Sequence, residues 1–318
     1  MLSTMIEPKR HPTTTIDRSK IDPCLPFLVD RSQNATNKPR GTAVVSTGID
    51  TEVFQEFEQA SWRRVVERYH DSWGRLTRQT IEPLLEVLDV GQNTAIVDVA
   101  TGPGYVAAEA SARGAKAIGV DFSPEMVNKA REIHPHVQFL EGDALDLPFE
   151  DCSFDAACMN FGILHLAQPE DGVRELTRIV RPGGRVAFTA WAPPDEASGY
   201  QAILGALDAY GTPSDIPVGP DFFRFGRRQE CLATCARVGI RSPGVRIISP
   251  MYWEMPTAAA FLSAFLGGSV RIGGLLRDQS PQALNAIESS VATSLEAFRV
   301  DEKEYRIPMS AVLTWGIR

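Results

Sequence analysis

Between residues 90 and 192 the chain alternates short apolar runs with amphipathic segments. Apolar runs at about 95–100, 116–120, 137–140, 154–160 and 184–191 predict strands, and the segments between them predict helices. Ser123 followed by Pro124 predicts the start of one helix, and Gly114 predicts the end of another. This alternation predicts an α/β fold with a doubly wound, mostly parallel sheet, whose ligand lies beyond the carboxyl ends of the strands.

The segments on either side of this core follow other patterns. From about 51 to 89, apolar residues recur every three or four positions, which predicts cap helices, the second from about 75 to 88. After Trp191, helices are predicted at about 198–210, 228–238, 257–267 and 281–299, and strands at about 245–253 and 305–317. We interpret about 193–226 and 256–300 as insertions that form a substrate lid. The apolar run 261–276 is alternatively a dimer surface, which makes a homodimer a candidate assembly.

The first 47 residues differ from the rest in composition. They are rich in Thr, Ser, Pro and Asn, contain few large apolar residues, and carry more basic than acidic side chains. This composition predicts a flexible N-terminal arm ahead of a single domain at 48–318. Alternatively, residues 23–29 dock on the domain or on a partner subunit.

Composition narrows the class of protein. The 318 residues are 43% hydrophobic, carry a formal net charge of −8 and have a pI near 5.3. A net negative charge favours a small-molecule substrate over nucleic acid, because binding of nucleic acid requires a basic surface. We find no apolar run long enough to span a bilayer and expect a cytoplasmic protein that does not bind membranes. The five cysteines fit no zinc-binding spacing, so we expect reduced, mostly buried thiols.

The turn after the first predicted strand is a candidate ligand loop. Gly102-x-Gly104-x-x-Ala107 leads straight into a helix, so the backbone there can approach a ligand closely. The spacing also satisfies the dinucleotide fingerprint, and by itself it does not choose between cofactor classes.

Three acids after successive predicted strands narrow the choice. Asp98 would repel a pyrophosphate but suits a cationic amino group. Asp121 is placed to bind both ribose hydroxyls, a feature that NAD enzymes share. Asp143 can accept a hydrogen bond from an adenine amino group, while the next backbone N–H donates to the ring. Asp98 and the segment 142–144 together disfavour an NAD-linked oxidoreductase.

With these motifs in this order, residues 90–192 resemble a class I S-adenosylmethionine-dependent methyltransferase of the ubiquinone/menaquinone-biosynthesis type. The family's D-x-G-x-G-x-G motif corresponds to Asp98-x-Ala100-x-Gly102-x-Gly104, with Ala100 as a small-residue departure. Segments 154–161 and 176–184 match the fourth strand and the approach to the fifth. The resemblance implies a seven-stranded Rossmann-like sheet and S-adenosyl-L-methionine as cofactor. The implied cofactor-binding residues are Asp98, Ala100, Thr101, Gly102, Gly104, Asp121, Phe122, Met126, Gly142, Asp143, Ala144, Asn160 and Phe161.

Substrate chemistry is less visible in the sequence. The resemblance implies methyl transfer to oxygen or carbon of a small molecule of natural-product or quinone-like type, as in secondary metabolism. Tyr69, Trp73 and Trp191 are candidate substrate contacts. Alternatively, Tyr69 and Trp73 belong with Trp62 to an aromatic stripe that packs in the core. His165, just past the fourth strand, is the candidate general base, because an unperturbed imidazole suits proton transfer near neutral pH. Alternatively, His165 caps a turn or packs beside the cofactor.

Two further expectations complete the hypothesis. No metal is expected, because Asp155 lies at the start of its strand and residues 160–168 contain no acid. The same scaffold could keep the cofactor and instead catalyse a non-methylating rearrangement or pericyclic reaction, or serve as a cofactor-sensing binding protein.

Overall fold

The computed structural model describes residues 49–318, which form a seven-stranded sheet and a separate two-stranded sheet. The strands are β1 (Ala95–Val99), β2 (Lys116–Asp121), β3 (Gln138–Glu141), β4 (Phe154–Asn160), β5 (Val180–Trp191), β6 (Arg241–Ile248), β7 (Tyr252–Met255), β8 (Tyr305–Pro308) and β9 (Ala311–Ile317). The large sheet has the order β3-β2-β1-β4-β5-β9-β6, and β9 runs antiparallel to both of its neighbours. β1 to β5 pair in parallel. The predicted doubly wound, mostly parallel sheet is confirmed.

Helices cover both faces of this sheet. They are α1 (Thr51–Arg68), α2 (Gly74–Thr77), α3 (Ile81–Val87), α4 (Tyr105–Ala112), α5 (Pro124–Ile133), α6 (Pro169–Ile179), α7 (Ser198–Tyr210), α8 (Arg228–Val238), α9 (Ala258–Gly268), α10 (Arg271–Arg277) and α11 (Pro281–Leu295). Because side chains alternate across a strand, Ile96 packs with α3 and α4, whereas Val97 belongs to the cluster that includes α6 and α8. Both faces of the central strands are therefore buried.

Local signals place two helix ends where the sequence predicts them. The Ser123 hydroxyl accepts a hydrogen bond from the Met126 N–H at 3.3 Å, and Pro124 occupies the first turn of α5. Gly114 follows α4 with φ of 83°, a conformation that favours glycine.

The elements outside the core differ from the sequence-based expectations. The cap segment predicted as one helix from 75 to 88 is divided into α2, a 3-10 turn and α3, and a π turn at Tyr69–Trp73 joins α1 to α2. The strand predicted at 245–253 is two strands, β6 and β7, with Pro250 between them. The strand predicted at 305–317 is likewise two, β8 and β9, with Pro308 at the break. Proline lacks the N–H that a continuing ladder needs.

The separate sheet pairs β7 with β8, so the chain between β6 and β9 forms an insertion with α9, α10 and α11. Phe261 and Phe265 of the run 261–276 are fully buried in the main core, which favours the lid interpretation of that run over a dimer surface. The N-terminal arm predicted at 1–47 lies outside the described residues.

No single helix in 49–318 is long and apolar enough to cross a membrane, although the pair Ala258–Gly268 and Arg271–Arg277, bent by 106°, passes by length and composition together.

Candidate functional site

The turn between β1 and α4 contains three residues with left-handed backbone, Ala100, Gly102 and Gly104. Gly102 and Gly104 have φ of 53° and 83°, which glycine adopts without steric cost. The Gly104 N–H donates to the Thr101 carbonyl at 2.9 Å, and the Thr101 N–H donates to the Val120 carbonyl at 3.0 Å. A Cβ at Gly102 would meet no atom within 4 Å. The turn is therefore fixed against the end of β2, and its backbone at Gly102 faces open space.

Gly104→Ala is expected to destabilise the fold. Its Cβ would lie 2.5 Å from Cζ of Phe139, a residue that is 2% exposed and whose ring also packs against Gly119. Overpacking of about 1–3 kcal/mol adds to left-handed strain of about 1–2 kcal/mol. The melting temperature should fall by roughly 4–20 °C at about 2–4 °C per kcal/mol. Gly102→Ala is the matched control, because it adds strain without a clash. Equal melting temperatures for the two variants would contradict this account.

Ala100 occupies the position where the family motif has its first glycine. Its φ is 54°, and a side chain in this region costs roughly 1–2 kcal/mol. A Cβ at Gly162 would come within 2.5 Å of the Ala100 Cβ. The extra methyl group at Ala100 is therefore accommodated because the residue packed against it is glycine.

Asp98 is a buried carboxyl group on the cavity wall. It is 1% exposed and accepts a hydrogen bond from the Thr101 hydroxyl at 2.6 Å. The Cys158 Sγ lies 3.7 Å from its Oδ1. Burial raises the pKa of Asp98 to about 7, against the hydrogen bonds from Thr101 and the backbone of Ala107. A nearby cation would favour the ionised form of this group.

Asp121 lies at the end of β2 with both carboxylate oxygens in use. Oδ2 accepts from the Gly102 N–H at 2.8 Å, and Oδ1 accepts from the Ser123 N–H at 3.0 Å. Burial raises its pKa to about 6 although these bonds oppose the shift. The sequence predicts a carboxylate for a ribose diol. In the structure only the second lone pair of each oxygen remains for such a ligand.

The third acid is exposed. Asp143 Oδ1 accepts from the Leu145 N–H at 2.9 Å, and Gly142 and Ala144 beside it also lie on the cavity wall. The Gly142 N–H donates to the Asp121 carbonyl at 3.0 Å. This bond places the loop after β3 directly beside the end of β2.

One cavity in the described part of the chain collects the predicted site residues. It is lined by Tyr69, Trp73, Asp98, Ala100, Thr101, Gly102, Asp121, Phe122, Met126, Gly142, Asp143, Ala144, Asn160, Phe161, His165 and Trp191. Gly104 is the exception. It packs on Phe139 and shapes the turn without lining the cavity. Placement in one cavity agrees with the predicted binding roles, which remain predictions.

Aromatic side chains from the cap and the lid form the far wall of this cavity. The π turn presents Tyr69 and Trp73, and the Trp73 Nε1–H donates to the Ala264 carbonyl at 3.0 Å. Burial raises the pKa of Tyr69 to about 12, so its phenol stays protonated. Tyr200 and Phe222 also line the cavity, and the sequence analysis did not identify them as candidates. Their segment, 198–223, shows only as a helix and a loop in the sequence.

The residues after β4 connect this wall to the sheet. Asn160 Oδ1 accepts from the Thr189 hydroxyl at 2.6 Å and from the Thr80 hydroxyl at 2.8 Å. The Asn160 amide is thus a brace between β5 and the cap. Phe161 stacks on Trp191 with ring centroids 4.1 Å apart and planes at 25°.

His165 has a partner that the sequence did not reveal. Its Nδ1 lies 2.9 Å from Oε2 of Glu58, a residue of α1 that is 2% exposed and also lines the cavity. Trp62 packs edge-on against the imidazole, with centroids 4.8 Å apart. Glu58 occupies the buried face of α1 together with Phe54 and Val65. An acid at a core position of an amphipathic helix is the signal that could have found it.

Among residues 49–318, no group of three or more His, Cys, Asp and Glu side chains is arranged to hold a metal ion.

Sequence comparison connects the core of the site to known proteins. Residues 97–188 match the family described as "Methyltransferase domain". The demethylmenaquinone methyltransferase of Corynebacterium kroppenstedtii is 38% identical over 122 residues, which cover 38% of this chain and 49% of that protein. The corresponding protein of Chlorobaculum tepidum is 44% identical over 90 residues, covering 28% of this chain and 37% of that protein. The chain spans about half the length, or less, of these relatives.

Solved structures share the fold at low identity. The YcgJ protein from Bacillus subtilis has a TM-score of 0.50 and 18% identity, over 75% of this chain and 97% of that one. The Haemonchus contortus phosphoethanolamine N-methyltransferase 2, solved with phosphomonomethylethanolamine and S-adenosylhomocysteine, has a TM-score of 0.50 and 18% identity, over 83% of this chain and 60% of that one. These likenesses support the Rossmann-like fold.

Proposed function

We propose that the chain, whose residues 97–188 match the family described as "Methyltransferase domain", is a class I S-adenosylmethionine-dependent methyltransferase that methylates an oxygen or carbon atom of a small aromatic molecule. One observation carries the proposal: the cofactor motifs and an aromatic wall line the same cavity, and His165 lines it with them. The demethylmenaquinone methyltransferases among the relatives favour a quinone-like or related natural-product acceptor.

The residues present fit this cofactor. The open backbone at Gly102 leaves room for close approach, and the buried Asp98 suits an ammonium group. Asp121 would bind the ribose, and the loop at Asp143 and Ala144 would bind the adenine. When bound, S-adenosylmethionine supplies a methyl group activated by its sulfonium sulfur.

The chain's own residues would position the acceptor and take up its proton. Tyr69, Trp73 and Trp191 provide apolar ring surfaces that hold a planar molecule and exclude water. The His165 Nε2 has no hydrogen-bond partner in the described part of the chain, so it is free to accept the proton of a weakly acidic acceptor. Holding the reacting atoms close together supplies the rest of the acceleration.

A product-mass experiment tests the proposal. The protein is incubated with methyl-labelled S-adenosylmethionine and a panel of hydroxylated aromatics and demethylated quinones. We expect S-adenosylhomocysteine in equal amount to a product that carries the labelled methyl group. Conversion of an acceptor without release of S-adenosylhomocysteine would instead support a non-methylating reaction. Binding without any conversion across the panel would support a cofactor-sensing protein.

The affinity for S-adenosylmethionine is expected to fall as the pH decreases from about 8 to about 6. The ammonium group of the ligand favours ionised Asp98, whose pKa burial raises to about 7. Below that pKa, each pH unit costs up to about tenfold in affinity, because protonation must be reversed on binding. Calorimetry at several pH values measures the slope. Asp98→Asn should bind more weakly and lose the decrease near pH 7, leaving only the decrease near pH 6 that protonation of Asp121 causes. A flat wild-type profile would contradict the assignment.

A further inference from the structure

We infer that Glu58, supplied by the cap helix α1, is a positioning residue for the catalytic base His165. This inference rests on the proposed function. Its first support is geometric: Glu58 Oε2 and His165 Nδ1 are 2.9 Å apart, and the side chains are only 3% and 16% exposed. A hydrogen bond to a carboxylate at such a buried site is short and strong.

The bond sets which imidazole nitrogen can act as the base. A carboxylate only accepts hydrogen bonds, so the neutral imidazole must carry its proton on Nδ1. Nε2 then holds a free lone pair. The edge-on contact with Trp62, at 4.8 Å between centroids, and a second ring contact with Phe222 at 6.3 Å restrict rotation of the imidazole.

Two further charged groups interact with this pair from other elements. Arg271 of α10 lies over Phe54 and Phe222, with its Cζ 5.3 and 5.4 Å from their ring centroids. Burial lowers the pKa of Arg271, and the negative charges of Glu58 and Asp221 oppose that shift. Asp121 is the other facing group, because His165 acts on it electrostatically to lower its pKa.

Glu58 and Arg271 are side chains of opposite charge, and each buries one polar atom. Glu58 Oε1 and Arg271 Nη1 are both buried without a hydrogen-bond partner in the described residues. A buried charge with no compensation is very costly. The electrostatic attraction between Glu58 and Arg271 therefore offsets part of the cost of burying both side chains.

The proposed step transfers one proton from the acceptor to His165. The acceptor's O–H or acidic C–H bond breaks, and its proton forms a bond with His165 Nε2. The electron pair of the broken bond stays on the acceptor atom, which becomes the nucleophile. The resulting imidazolium lies against the Glu58 carboxylate, which stabilises its charge. Because Glu58 is on α1, the base is complete only when the cap is docked on the core.

The test compares Glu58→Gln with Glu56→Gln. Both remove one carboxylate from α1 with the same change of shape, but Glu56 is exposed to solvent. We expect Glu58→Gln to lower kcat about 10–100-fold, the usual effect of losing the partner that orients a functional histidine. KM for the acceptor and Kd for S-adenosylmethionine should change less than about twofold. Glu58→Asp, which keeps the carboxylate, should recover part of the lost turnover.

A spectroscopic measurement tests the inference without any activity. In protein labelled with ¹⁵N-histidine, the signal missing from His165→Ala identifies His165, and its nitrogen shifts at alkaline pH report the tautomer. We expect Nδ1–H in the wild type and in Glu56→Gln, and a change toward Nε2–H in Glu58→Gln. An Nε2–H tautomer in the wild type overturns the inference, as does turnover of Glu58→Gln equal to that of Glu56→Gln. If no acceptor is methylated, the proposed function fails but the tautomer still decides the role of Glu58.

Discussion

Replacing His165 with alanine is expected to lower kcat by about 10²–10⁴-fold while the affinity for S-adenosylmethionine stays within about twofold. That loss corresponds to about 2.7–5.5 kcal/mol of transition-state stabilisation. The imidazole lies in the cavity between the cofactor motifs and the aromatic wall, and its Nδ1 is held by Glu58. Alanine removes the proton acceptor but leaves the backbone and carboxylates that would bind the cofactor in place.

The control for this variant is His136→Ala. His136 is exposed and lies outside the cavity, so its loss should leave turnover unchanged. Calorimetry on the same preparations gives Kd for the cofactor. A collapse of affinity with normal turnover per bound cofactor would make His165 structural. Unchanged kcat and Kd would mean that the acceptor ionises without help and that catalysis rests on positioning alone.

Most of the cofactor half of the site could be predicted because its geometry follows from chain order. Asp98, Asp121 and Asp143 lie within or just beyond β1, β2 and β3, which are parallel neighbours in the sheet. In a parallel sheet the carboxyl ends meet at one edge. Local sequence therefore brings the three acids together without any knowledge of long-range packing.

The half of the site that would bind the acceptor could not be predicted, because long-range packing brings its residues together and no local sequence pattern indicates that packing. Glu58 and His165 are 107 positions apart in the chain, and their contact exists only because α1 folds over the end of β4. Tyr200 and Phe222 reach the cavity from an insertion whose sequence predicts a helix and a loop but does not indicate which of their side chains face the site. The predictions of continuous strands at 245–253 and 305–317 were wrong for a different reason. Apolar residues on both sides of Pro250 and Pro308 concealed the change of partner from the main sheet to the β7–β8 pair.

Asp121→Ala is expected to weaken S-adenosylmethionine binding at least tenfold. In the proposed complex the carboxylate would accept two charge-assisted hydrogen bonds from the ribose, each worth roughly 1.5–3 kcal/mol. The structure adds a second cost. Asp121 also accepts from the N–H groups of Gly102 and Ser123, so the variant loosens the turn at Gly102 and the start of α5. Binding should therefore weaken, and the melting temperature without ligand should fall as well.

Two variants separate these contributions, and calorimetry with thermal melting measures both. Asp121→Asn keeps one acceptor oxygen for the backbone but loses the charge, so it should retain more stability than Asp121→Ala while still binding the cofactor poorly. Glu141→Ala removes an acid from the adjacent position of β3, opposite Asp121 in the sheet register and outside the cavity lining. Its affinity should match that of the wild type.

Wild-type affinity in Asp121→Ala would show that Asp121 does not belong to the cofactor site. Tight binding of NADH by the unmodified protein would remove the methyltransferase assignment itself, because Asp98 beside the turn should repel a pyrophosphate and attract a cationic amino group.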